Sequence, residues 1–151
     1  MNTLTAAALT KFSGLMFFLK RSKHDFEMVA DEVENYTLKS ALNGLSEESS
    51  FYASELKTYL KHLGINTTAF IETELQFDDF NTEEFEGCEK GLELKSLVSN
   101  KERYLTKAYN ELLDEPMPCK SLQEIILLQL TALKISFLKV QTLNTARFAM
   151  Y

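Results

Sequence analysis

An all-α four-helix bundle is the fold class this sequence predicts, and three observations predict it. Apolar residues recur at alternating steps of three and four over long stretches, the spacing that keeps one stripe on one helix face. Only five glycines and two prolines punctuate 151 residues, whereas an all-β chain would carry turn residues every ten positions or so. The chain is 45% hydrophobic, which suits one core, and it is too short for two ordinary domains, so residues 1–151 are expected to form a single domain.

The first helix is read from Phe12, Leu15, Leu19, Ser22, Phe26, Val29 and Val33, with Leu4 and Ala8 prolonging the stripe backwards and an end near Glu34. Met16, Phe17 and Phe18 widen its apolar arc beyond what one seam requires. They are expected to meet a second subunit, the alternative being that they pack under the connection between the second and third helices. A short link around Asn35 to Thr37 makes the next helix an antiparallel neighbour.

Residues 36 to 64 carry the clearest stripe of all: Leu38, Leu42, Leu45, Ser49, Tyr52, Leu56, Tyr59 and Leu63. Asn35 or Thr37 can cap its start, and Gly64 can adopt the left-handed conformation that closes its last turn. Such a helix is roughly 40 Å long, so it needs partners of similar length.

The stretch that follows mixes Ile65, Phe70, Ile71, Leu75, Phe77, Phe80 and Phe85 with acids, and a short helix is possible over Ala69 to Phe77. From Glu72 to Glu93 nine acidic residues stand against Lys90 alone, a local charge of −8 within a chain of net charge −6, which leaves +2 for the rest. This is the pattern of a solvated crossing. It has no calcium-loop spacing, because Asp78 and Asp79 are adjacent and no glycine follows at the required offset.

A third helix is expected to start between Thr82 and Lys90 and to run to about Asp114, burying Val98, Leu105, Ala108, Tyr109 and Leu112, until Pro116 and Pro118 end it. Ser121 with Glu124 reads as a capping box for the fourth. That helix is the most apolar: Leu122, Ile125, Ile126, Leu130, Leu133, Phe137, Val140 and Leu143 form one stripe, broadened by Leu127, Leu128, Ala132 and Ile135. It is expected to be the most buried element; from about Thr145 the chain keeps some helical character but loses the pattern, so the tail is expected to fray or to dock on a neighbour. If the long crossing lets helices two and three run parallel, the bundle is ferritin-like; spacing alone leaves a simple up-down order open.

Composition bounds the function. With 16 Lys+Arg against 22 Asp+Glu, the long-range field repels phosphate backbones, so no nucleic-acid partner is expected. Cys88 and Cys119 make no disulfide framework and are read as reduced and inert. The N-terminal stretch lacks the basic start of a secretory signal, and Lys11 interrupts its apolar part. No apolar run approaches the ~20 residues that span a bilayer. The expectation is a cytoplasmic protein that does not enter membranes.

A bundle of this kind can hold two metal ions when two helices supply Glu and the other two supply Glu-x-x-His, since residues three apart share a face. That motif is absent: Arg21 and Tyr59 stand three before His24 and His62. No metal cofactor is therefore expected, and the residues that could form a mixed site are Glu48, Glu55 and Glu102. A polar layer of Ser22, Ser49, Tyr52, Gln129 and Ser136 crosses the stripes, to be satisfied locally or to line a pocket. No nucleophile–base pair and no glycine-rich phosphate loop is present, so no catalytic residue is nominated.

Two segments, ALNGLSEESSFYASELKTYLKHLG at residues 41–64 and KERYLTKAYNELL at Lys101 to Leu113, resemble the second and third helices of an uncharacterised ferritin-like four-helix family. Its second helix ends in leucine-glycine and its third precedes a proline turn. The resemblance covers most of residues 12 to 143 and implies the ferritin-like helix order. It aligns Glu55 and Glu102 with the family's helix carboxylates. Lys23 stands where members tend to have a carboxylate, and Lys134 and Phe137 stand at the polar or imidazole positions of the last helix, so an inherited metal site is not implied. The expectation is a non-enzymatic scaffold or interaction protein, a homodimer through Met16, Phe17 and Phe18 with Phe148; the alternatives are a divergent metal-binding oxidase or a bundle holding an apolar ligand.

Overall fold

The computed structural model describes residues 4–67 and 91–149, and only the backbone at 91–93 and 147–149. The acidic run, the short helix considered at Ala69 to Phe77, the start of the third helix, Cys88 and the side chain of Phe148 lie outside the described residues. Those residues form four helices and no strand: α1 (Ala6–Glu32), α2 (Tyr36–His62), α3 (Gly91–Leu113) and α4 (Lys120–Ala149).

Each end has a chemical cause. The Thr5 hydroxyl accepts from the Ala8 amide at 3.0 Å and caps α1. Of the two caps considered for α2, Asn35 serves, its side chain accepting from the Leu38 amide at 3.0 Å. Gly64 sits at φ 80°, a conformation that side-chain-bearing residues resist. There the Ile65 amide donates to the Leu60 carbonyl and the Gly64 amide to that of Lys61, at 3.0 and 2.9 Å, which is a Schellman closure. At α4 the reading needs correction. The helix already includes Lys120, so Ser121 lies in its first turn, and Glu124 pairs along the helix with Lys120 instead of closing a capping box. The helix runs on to Ala149, in keeping with the helical character expected after Thr145.

Packing is pairwise around a square: α1 lies beside α2 and α3, and α4 beside α2 and α3. Contacts along these pairs run in opposite senses. Lys11 near the start of α1 reaches Glu115 just past α3, while Asp25 meets Lys101 one long step back along it. Tyr59 near the end of α2 touches Cys119 just before α4, while Glu48 meets Ser136 farther along α4. Between the four helices lies one apolar cluster that includes Phe12, Leu19, Phe26, Leu45, Leu56, Leu105, Tyr109, Leu133 and Phe137. Phe26 and Phe137 meet edge-to-face across it, centroids 5.7 Å apart.

Two apolar surpluses resolve differently from expectation. Met16 is buried, Phe18 packs against the core and stacks on Tyr104 at 5.7 Å, and Phe17 is half-buried. Helix α4, expected to be the most buried, leaves Leu127, Leu128, Ile135 and Leu138 exposed at 46, 69, 65 and 61%. The physical reason is helical phase. Phe18 flanks the α1 stripe on the side of α3, where it meets Tyr104, and Met16 flanks it on the other side and is buried there, whereas 128 and 135 stand on the far side of α4 from its stripe.

Candidate functional site

Polar side chains gather at two places. Along the α2–α4 seam, Glu48, Tyr52 and Glu55 occupy one face of α2, at steps of four and three. Glu48 Oε1 accepts from Ser136 Oγ at 2.6 Å, and its Oε2 accepts from the Tyr52 hydroxyl at 2.8 Å. One turn on, Gln129 Nε2 donates to Glu55 Oε1 at 2.8 Å and to the Tyr52 carbonyl at 3.3 Å. Gln129 Oε1 accepts from the buried Tyr109 hydroxyl at 2.8 Å, which ties α3 into the same network.

Burial, followed for Tyr52 by its bond to Glu48, raises the phenol of Tyr52 above its ordinary value; Tyr109 is raised chiefly by burial. Both stay protonated and act as donors. Both Glu48 oxygens and Glu55 Oε1 accept from these donors, so the cluster cross-links three helices.

The second place is the α1–α3 seam. Lys101 Nζ lies 2.5 Å from Asp25 Oδ2, with both side chains at or below 1% exposure. The ammonium also stands over the Phe18 ring, 5.5 Å from its centroid. Burial outweighs the attraction of Asp25 and lowers the lysine to about 8. Asp25 Oδ1, Ser22 Oγ and Ser49 Oγ are buried without a hydrogen-bond partner among the described residues. This pair did not emerge from the sequence. Its signal was an acid, Asp25, three after Ser22 and four before Val29, and a base, Lys101, three after Val98 and four before Leu105, each in phase with an apolar stripe.

The candidate ligands do not converge. Glu48 and Glu55 stand two turns apart on α2, roughly 10 Å along the axis, with Tyr52 between them. Glu102 lies in the α3–α4 groove beside Lys134, its carboxyl raised by burial and pulled back by that lysine. Among the described residues no three His, Cys, Asp or Glu side chains are grouped to hold a metal ion. His24 and His62 are exposed, and Cys119 is a half-buried free thiol whose Sγ is 3.7 Å from the Tyr59 hydroxyl. The polar layer is likewise divided: Tyr52, Gln129 and Ser136 join the first network, while Ser22 and Ser49 stay apart from it.

What remains is the outer face of α4, where the exposed leucines and isoleucine form a row. The stretch Lys120–Ala146 is long and apolar enough to cross a membrane by length and composition, and 33% of its most apolar window is buried inside the bundle. Its inward polar residues Gln129 and Ser136 are bonded to α2 and α3. Compared with protein-family models and with curated protein sequences, the chain matches none.

Proposed function

We propose that this protein is a ferritin-like helical scaffold that works in the cytoplasm through protein contact instead of catalysis. The observation that carries the reading is the exposed apolar row of α4 outside a core whose polar groups are largely bonded to one another. A soluble chain rarely keeps such a patch except where something docks.

The ferritin-like order is supported by the packing. With α1 and α4 each antiparallel to α2 and α3, helices α2 and α3 point the same way from opposite corners, the order that the resemblance to the ferritin-like family implies.

The competing reading is a divergent metal-binding oxidase built on Glu48, Glu55 and Glu102. Elemental analysis of protein grown in iron- or manganese-supplemented medium separates the two. The scaffold reading predicts no bound metal above background, in the native chain or in Glu55→Ala; stoichiometric metal that disappears in Glu55→Ala and Glu102→Ala would overturn it. A co-purifying lipid found by mass spectrometry would favour the third reading, a bundle holding an apolar ligand.

A further inference from the structure

Leu128, Thr131, Ile135 and Leu138 are spaced three, four and three apart. They form a second heptad seam on a helix whose first seam, Leu122 to Val140, is filled by the bundle. We propose, resting on the reading that the protein works through this face, that its occupant is a second copy of the chain, the two α4 helices lying antiparallel about a twofold axis.

The register is self-complementary. With the axis between Thr131 and Ile135, Leu128 meets Leu138 of the second copy and Thr131 meets its Ile135, in both directions, so every layer has an apolar contact. Beside the axis stands Lys134, which is exposed, and two such lysines approach each other there. Each has its own answering carboxylate, because Glu102 lies half-buried in the adjoining α3–α4 groove. Pairing brings two lysines and two glutamates together around the axis, and each Glu102 gains a second cation.

The row is continuous with the rim of the α3–α4 groove, which Leu138 itself lines, so pairing can spread beyond the four seam residues toward the ~800 Å² per partner of a stable interface. An anionic lipid surface fits less well. It would want cations free to face phosphate, whereas Lys134 is balanced by Glu102 and the chain carries a net charge of −6.

Sedimentation velocity on the full chain between about 1 and about 100 μM tests the proposal. The expected result is a monomer–dimer equilibrium in the micromolar range, weakened at least about a hundredfold by Leu128→Glu combined with Ile135→Glu, with helix content unchanged by circular dichroism. Lys134→Glu should weaken it about tenfold, and adding Glu102→Lys should restore it. A wild-type monomer at the highest concentration, or a dimer that survives the double glutamate change, overturns the proposal. So does a monomer that binds phosphatidylcholine–phosphatidylserine vesicles and loses them in that variant, which would assign the face to lipid. Stoichiometric metal in the elemental analysis would defeat the scaffold reading whatever the association state, so the two failures are distinguishable.

Discussion

Helices α1 and α4 both carry more apolar residues than one seam can use, yet the structure treats the two surpluses oppositely. On α1, Met16 enters the core and Phe18 closes over the α1–α3 seam, stacking on Tyr104 above Lys101. On α4, Leu128 and Ile135 face outward. The difference teaches that apolar count does not set burial; the angle from the stripe does. A residue one position off the seam can lean in, while one on the far side of the helix has nothing to lean on.

The largest test of this contrast lies under Phe18. If the α1–α3 seam is as dry as the packing indicates, Lys101→Met, unlike deprotonation, which keeps an N–H donor beside Asp25, leaves that carboxylate buried without its hydrogen bond and should cost about 3 to 5 kcal/mol. Adding Asp25→Leu should recover most of it, because an apolar pair of similar volume avoids the desolvation cost altogether. Urea denaturation of the two variants checks this, and a small effect of the single change would mean that water reaches the seam.

Next in size, Met16→Ala should lower stability by about 2 to 5 kcal/mol through lost transfer energy and a residual cavity, as should Leu45→Ala, Leu56→Ala or Leu133→Ala. Leu128→Ala, measured with the protein dilute enough to be monomeric, should stay within about 0.5 kcal/mol. Equal costs for Met16 and Leu128 would erase the contrast.

The pH dependence sharpens it. The Lys101 ammonium, held near 8 in the folded chain against an ordinary 10.5, keeps its proton longer when unfolded. Between about pH 8 and 10 the unfolded state therefore binds more protons, and stability should rise by roughly 1 to 2 kcal/mol. Above pH 10 the sign reverses. Tyr52 and Tyr109 are raised by burial, so the unfolded chain loses those protons first and stability falls. Thermal melts across this range should show the maximum, and Lys101→Met with Asp25→Leu should abolish the rise while keeping the fall.

Much of the fold was legible because phase is a local property. Phe12 to Val33, and Leu38, Leu42, Leu45 and Leu56, fall at helical steps that no distant contact needs to confirm, and Asn35 and Gly64 mark their ends by chemistry of their own. Helix α4 was misjudged for the same reason inverted. Apolar nearly all round, it has no single phase to read, and its outer row looked like breadth of a buried stripe. The polar sites were legible only as candidates. That Glu48 faces Ser136, that Gln129 joins Glu55 to Tyr109, or that Asp25 lies level with Lys101 depends on the register between helices far apart in sequence. Glu102 looked equivalent to Glu48 and Glu55, and only the packing separates it by putting it beside Lys134.

The contrast between α1 and α4 is tested most directly by thiol labelling of Met16→Cys and Leu128→Cys, each in a chain carrying Cys88→Ser and Cys119→Ser, followed as a function of protein concentration. In dilute native solution Leu128→Cys should react nearly as fast as in the unfolded chain, while Met16→Cys should be slower by orders of magnitude, reacting only through opening of the fold. As concentration rises, Leu128→Cys alone should become protected. Comparable protection of the two sites at low concentration, or faster labelling at residue 16 than at 128, would contradict the account.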